Sequence, residues 1–195
     1  MGSLELGAEL STSMRIISGQ YGGRLLKSPP DHRTRPTSGR LRETLFNILA
    51  PRIDGTRFLD LCAGSGAIGI EALSRGAEFV TFVDRSKKAC ALIEENLDKL
   101  GVPEDETDVQ NFEAETFVGR PYEVPWDIAF FDPPYDADYS VVLHEFGDKT
   151  DLLADDGVLI VEHIARKQMP DAVGFLRRWR LLKQGDTHLS FYEKA

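Results

Sequence analysis

A chain of 195 residues with 42% hydrophobic content can bury one full core, with room for a small appendage. There is no apolar run of membrane-spanning length and no signal-peptide core, so a soluble cytoplasmic protein is expected. The net charge of −9 argues against a generic nucleic-acid binder. Cys62 and Cys90 lack CxxC spacing and read as reduced packing residues, and His32, His144, His163 and His188 form no metal-ligand pattern, so no metal is expected.

Met1 to Ser13 carry no periodicity and read as a leader or an expression remnant, with Met14 as the natural start. Arg15-Ile16-Ile17-Ser18 and Arg24-Leu25-Leu26-Lys27 flank a glycine-rich centre, which predicts a hairpin. Pro29 to Arg35 is a proline-rich basic loop. Thr37 or Ser38 then caps a helix with Leu41, Leu45, Ile48 and Leu49 on one face, stopped by Pro51. From Met14 to Arg57 nine basic residues stand against three acidic ones. Cations at the amino-terminal end of that helix oppose its dipole, which is easier to understand if they meet phosphate or a carboxylate. Residues 14–56 are therefore expected to form a hairpin-and-helix extension that contacts a polyanion, against the plainer possibility of a solvated basic face.

From Arg57 the pattern alternates strand and helix. Phe58 to Cys62 reads as a buried strand, followed by a glycine loop and a helix that runs to Arg75 and ends at Gly76. Phe79 to Val83 is a second strand closed by Asp84. Ser86 caps a longer helix carrying Cys90, Ile93, Leu97 and Leu100 on one face, ended by Gly101 and Pro103. Val109 belongs to a weak third strand, Ile128 to Phe131 to a fourth and Val158 to Val161 to a fifth. Trp179 to Gln184 and His188 to Tyr192 read as a closing antiparallel hairpin around Gly185-Asp186. Such repetition means an α/β fold, Rossmann-like and doubly wound, over residues 57–195: a mostly parallel sheet with helices on both faces.

Two stretches carry chemistry. Asp60-Leu61-Cys62-Ala63-Gly64-Ser65-Gly66-Ala67-Ile68-Gly69 contains GxGxxG after a strand, with Asp84 about twenty residues on, a spacing that also fits a dinucleotide site. Asp60 decides between them: a carboxylate there would repel a pyrophosphate but suits S-adenosylmethionine, which carries an ammonium and a sulfonium. Asp84 can accept from both ribose hydroxyls and Glu113, after the third strand, from the adenine amine. No Walker lysine follows the glycines, so an ATPase is excluded. The second stretch is Asp132-Pro133-Pro134-Tyr135. Two prolines cannot extend a ladder, so the chain leaves the sheet there. A carboxylate, a rigid carbonyl and an aromatic ring at a strand's carboxyl end suit a planar base with an exocyclic amine; an ordinary turn after a strand is the plainer alternative.

With these residues in view, the chain resembles the class I methyltransferases that alkylate exocyclic amines, which carry Asp, Asn or Ser before Pro-Pro and an aromatic. Within them it is similar to the RsmD family, the 16S rRNA guanine-N2 methyltransferases. The likeness runs from Met14 to the carboxyl terminus, through Arg15 to Gly19 with Gly22-Gly23-Arg24, Arg35-Pro36-Thr37, Arg42 to Asn47, the glycine loop through Gly76, and the Asp-Pro-Pro-Tyr motif. It implies methyl transfer from S-adenosylmethionine to one guanine of 16S rRNA, presented in the 30S subunit or an assembly intermediate; a monomer is expected. It assigns Asp60, Gly64, Gly66 and Asp84 to the cofactor pocket, and Ala63, Ser65, Arg85, Glu113, Ala114 and Thr37 are expected to line it with them. Glu113 departs from the shorter Asp expected there. The same likeness assigns Asp132, Pro133, Pro134 and Tyr135 to the target base, while the basic amino-terminal segment makes Arg15, Arg24, Arg33, Arg35, Arg40 and Arg42 the candidates for the RNA contact.

Two other readings share these features. A DNA adenine or protein glutamine methyltransferase would use the same pocket, but DNA enzymes need a recognition region that this chain has no insertion to supply, and glutamine enzymes resemble Asn-Pro-Pro-Tyr. An RNA-binding module that had lost its chemistry need not have kept Asp132, Tyr135 and the glycine loop. Arg177, Arg178 and Arg180 are expected to be solvated surface.

Overall fold

The computed structural model describes residues 14–28, 38–149 and 151–195. Met1 to Ser13, and all of the basic loop from Pro29 to Arg35, lie outside them. The expected hairpin is present in short form: β1 (Met14–Arg15) pairs antiparallel with β2 (Leu25–Leu26). Helix α1 (Gly39–Leu49) follows, and Ser38 is its cap, its hydroxyl accepting from the Leu41 amide at 3.2 Å.

The alternating region contains β3 (Arg57–Leu61), α2 (Ala67–Ser74), β4 (Phe79–Val83), α3 (Lys87–Leu100), a 3-10 turn (Glu104–Glu106), β5 (Thr107–Gln110), α4 (Ala114–Val118), β6 (Trp126–Phe131), α5 (Ser140–Asp148) and β7 (Leu153–Ile164). It closes with β8 (Ala172–Val173), β9 (Leu176–Gln184) and β10 (Thr187–Lys194). Helix α3 begins and ends as its sequence requires: Ser86 Oγ accepts from the Ala89 amide at 3.3 Å, and Gly101 takes the left-handed conformation (φ 69°).

One eight-stranded sheet has the order β5-β4-β3-β6-β7-β10-β9-β8. The first five strands in that order are parallel, and β10, β9 and β8 continue antiparallel. The chain steps outward from β3 to β4 to β5 and then returns to place β6 on β3's other side. The switch point is therefore between β3 and β6, where open α/β sheets bind ligands beyond the strands' carboxyl ends. Helices α1, α2 and α3 cover one face, whose core joins Leu45, Phe46 and Leu49 to Phe58, Ile70, Phe82 and Phe130. Helices α4 and α5 cover the other, around Leu59, Phe117, Phe131, Val142 and Phe146.

The amino-terminal hairpin is tied to α2 through a buried acid. Glu71, fully buried on that apolar helix, accepts from the amides of Ile17 (2.8 Å) and Ser18 (3.1 Å) and from Arg75 Nε (2.7 Å). Its Oε2 also stands 3.7 Å from Arg42 Nε. Ile16 and Leu26 of the hairpin enter the same core as α1 and α2. No helix among the described residues is long and apolar enough to cross a membrane.

Candidate active site

The site is built where β3 and β6 end side by side. Leu61 pairs with Phe131, and the Asp132 amide donates to the Leu61 carbonyl at 3.2 Å, so the glycine loop and the Asp-Pro-Pro-Tyr turn leave the sheet next to each other. The turn closes on itself through the Ala137 amide, which donates to the Pro134 carbonyl at 2.9 Å. That engages the Pro134 carbonyl. Tyr135 in that turn is 39% exposed, a large aromatic side chain partly open to solvent.

The glycine loop is held from three sides. Asp60, buried at the end of β3, accepts the Gly69 amide at 2.9 Å and so pins the first turn of α2. Asp84, at the end of β4, accepts the Gly64 amide at 2.9 Å on one oxygen and the Ser86 amide at 2.8 Å on the other. Asn96, fully buried on α3, donates to the Ser65 carbonyl at 3.2 Å. The loop starts in strain: Cys62 takes φ 63°, a conformation costing about 1–3 kcal/mol for a residue with a side chain. Gly64 follows with φ 57°, and a Cβ placed there would meet nothing within 4 Å. The loop thus turns an open backbone surface toward the switch point.

Burial is the main reason that Asp60 is raised to about 7, with Asp84 adding to it and the Gly69 amide opposing. Asp132 is also raised, by burial first and then by Glu162 and Asp60. Glu162 is itself buried, one step past Val161, which pairs with Phe131. Cys62 is pushed up by burial and then by Asp84, Asp132, Glu115 and Asp60, so it stays a thiol. Burial leads in all three, and the carboxylates that follow it (Asp84, Asp132, Glu162, Glu115 and Asp60) show that acidic side chains gather at the carboxyl end of this sheet. A pyrophosphate does not fit that field, whereas a donor with two positive groups and no phosphate does. The residues present therefore fit S-adenosylmethionine.

Several assigned residues lie elsewhere than the sequence implies. Arg42 is a correction. It is 3% exposed, donates to the Arg15 carbonyl at 2.5 Å and faces Glu71, so it braces the hairpin and cannot reach a polyanion. Arg24 is exposed, but its guanidinium donates to the carbonyls of Leu100 (2.8 Å) and Lys99 (2.5 Å) and so caps the end of α3. Arg15 is exposed and bonds the Gly23 carbonyl, and Arg40 is exposed on the first turn of α1. Arg33, Arg35 and Thr37 lie outside the described residues. Arg85 and Glu113, from the ends of β4 and β5, are exposed and 4.0 Å apart, and Ala114 is buried at the start of α4. Sequence reading passed over Glu71 and Glu162. Each had a signal: a lone acid within an apolar helix or at the end of an apolar strand.

The parallel sheet with its switch-point loops is the fold of the class I methyltransferases. Among solved structures, "Putative methyltransferase yhhF from Escherichia coli" superimposes with a TM-score of 0.81 at 33% identity, over 93% of this chain and 98% of that one. The family model described as "Conserved hypothetical protein 95" matches residues 14–193, and the chain belongs to that family, which is the RsmD family indicated by its motifs. The relative "Putative rRNA methyltransferase YlbH" of Bacillus subtilis is 38% identical over 182 residues, 93% of this chain and 99% of that protein. "Ribosomal RNA small subunit methyltransferase D" of Escherichia coli K12 is 36% identical over 160 residues, 82% of this chain and 79% of that protein.

Proposed function

We propose that this protein methylates the exocyclic N2 amine of a guanine in small-subunit ribosomal RNA, using S-adenosylmethionine. The observation that carries the reading is the adjacency of Asp132 and the glycine loop at the β3–β6 switch point, in an acidic field that suits a cationic donor. The relatives named for rRNA methylation support the substrate class.

S-adenosylmethionine supplies an electrophilic methyl group on a sulfonium. Asp60, Ala63, Gly64, Ser65, Gly66 and Asp84 would hold it, with Thr37, Arg85, Glu113 and Ala114 at the pocket's margins. The remaining work belongs to the turn. A guanine amine is a poor nucleophile because its lone pair is delocalised into the ring. Asp132 and the Pro133 carbonyl accept its two hydrogens, which favours a pyramidal nitrogen with its lone pair directed at the donor. Tyr135 stacks on the ring in place of the neighbours the base leaves, worth roughly 1–3 kcal/mol. After transfer the nitrogen carries an extra proton. Asp132, made more basic by burial and by Glu162, takes it.

In this reading residues 14–56 are the rRNA-facing extension of a catalytic portion at 57–195, with Arg15, Arg33, Arg35 and Arg40 as the phosphate contacts. The monomer acts in the cytoplasm on the 30S subunit or an assembly intermediate. Incubation with labelled donor and 30S particles, naked rRNA, DNA or release factor tests this. Label in 30S particles or rRNA is expected, and label only in DNA or protein refutes it.

A further inference from the structure

Strand β7 ends in a turn in which the Lys167 amide donates to the Ile164 carbonyl at 2.9 Å. The turn is tied on both sides. Its Ala165 amide donates at 2.8 Å to the carbonyl of Asp186, in the turn between β9 and β10. The Lys167 ammonium donates at 2.6 Å to the carbonyl of Ala137, in the loop that begins at Asp132. Arg166, between these two anchors, is exposed.

Lys183 stands on the same edge of the sheet. It pairs in register with His188 of β10, and His188 pairs with His163 of β7. His163 is two residues past Val161, the partner of Phe131, so Lys183 lies just beyond the level at which β6 gives way to Asp132. Three strand spacings separate β9 from β6, roughly 14 Å. Lys183 is exposed as well. Neither cation has a hydrogen bond or an ion pair among the described residues, although Asp136, Asp138 and Asp186 are exposed in the adjoining turns. Arg178 on the same strand differs: it donates to the Met169 carbonyl at 3.2 Å and pairs with Asp171.

Acidic side chains gather at this edge, and an RNA strand that delivers a base to Asp132 brings its own negative backbone there. Unpaired cations beside the turn offset that repulsion. The amino-terminal hairpin cannot serve this side, because it packs with α1 and α2 on one face of the sheet. Lys183 lies on the other. It is opposite His188, which alternates along β10 with Ser190 and Tyr192, and Tyr192 belongs to the core under α4 and α5.

We infer that Arg166 and Lys183 form a second rRNA contact, taking backbone phosphates of the strand whose guanine enters the Asp132 pocket. This rests on the reading of the protein as an rRNA methyltransferase, and it adds the path of the strand: along the carboxyl edge from β6 toward β9. The amino-terminal extension and this pair then hold the RNA from opposite faces of the sheet.

The test is the double variant Arg166→Ala, Lys183→Ala in the full chain, with Arg177→Ala as control. Arg177 is exposed at the other end of β9, where it donates to the carbonyls of Gly174 (2.7 Å) and Leu176 (2.9 Å). Binding to 16S rRNA and to 30S particles is followed across salt concentrations, beside melting temperature, S-adenosylhomocysteine affinity by calorimetry and kcat/KM on particles. The double variant's plot of log K against log salt is expected to be shallower by about 1–2 on both RNA and particles, as the loss of two phosphate contacts requires. Its kcat/KM should be lower by about 5- to 30-fold, with melting temperature and S-adenosylhomocysteine affinity unchanged. The control should match the wild type's slope. An unchanged slope or kcat/KM, an equal change in the control, or a change on particles but not on rRNA (a ribosomal protein as partner) overturns the inference alone. So does a lowered melting temperature or a weakened S-adenosylhomocysteine affinity. A wild type inert on particles and rRNA overturns the functional reading, and this inference with it.

Discussion

Asp60 Oδ2 accepts the Gly69 amide at 2.9 Å, which ties the end of β3 to the first turn of α2 beneath the glycine loop. Burial gives that carboxyl an unusually high affinity for a proton, with a pKa of about 7. The folded chain therefore holds a proton that the unfolded chain, at the ordinary 3.8, has already released. This residue's contribution to stability is present below the unfolded value and is lost as pH rises through about 7. Ligand affinity has the opposite slope, because the ionised carboxylate attracts a cation. Calorimetry with S-adenosylmethionine is expected to show tighter binding at about pH 8 than at about pH 6, with proton release. Asp60→Asn, whose side-chain oxygen can still accept the Gly69 amide, is expected to flatten both dependences.

Gly69 faces Phe82 without a side chain between them. A Cβ at position 69 would lie 2.3 Å from Phe82 Cε1 and 2.8 Å from Val80 Cγ1, both within buried strand β4. Gly69→Ala must push α2 off the sheet or force Phe82 off its rotamer, at about 1–3 kcal/mol. A lowered denaturation midpoint is expected. Weaker S-adenosylhomocysteine binding should accompany it, because the displaced helix carries the loop.

The buried Glu71–Arg42 pair predicts a separation of stability from RNA affinity. Glu71→Ala leaves Arg42 buried without its acid and strands the Ile17 and Ser18 amides, a loss of about 3–5 kcal/mol in chemical denaturation. Arg42→Ala is expected to destabilise as well, yet to leave the salt dependence of particle binding unchanged. Replacing Arg33 and Arg35 with Ala should flatten that dependence instead.

Asp132 is expected to matter for turnover and little for donor affinity. Asp132→Ala should keep S-adenosylhomocysteine binding within a few-fold while lowering kcat by at least about 10²–10³. Since its carboxylate must be ionised to accept the amine's hydrogens, and burial and Glu162 raise its pKa, wild-type kcat should rise with pH above the usual carboxylate range. That limb should vanish in the variant's residual rate.

Much of this was legible in the sequence because local signals and tertiary demands agree. Ser86 and Gly101 bound α3 where capping chemistry requires, and the double proline after Phe131 ends β6 at the site. The sequence was opaque where distant residues decide. Arg42 reads as a helix-terminal cation, and only the folded chain brings it to Glu71 on another helix. Strand β7 begins at Leu153, five residues before its apolar run. Trp126 pairs with Leu153 but Ile128 with Val158, so Asp155-Asp156-Gly157 lie within an irregular stretch that looks like a turn. Helix α5 is short, and Gly147 near its end weakens the pattern.

The most direct test of the central claim is nucleoside mass analysis of 30S particles treated with isotope-labelled S-adenosylmethionine. Wild-type protein should yield labelled N2-methylguanosine at one site, and Asp132→Ala should yield none. Label in adenosine, label on another guanine atom, or equal labelling by the variant would contradict the account.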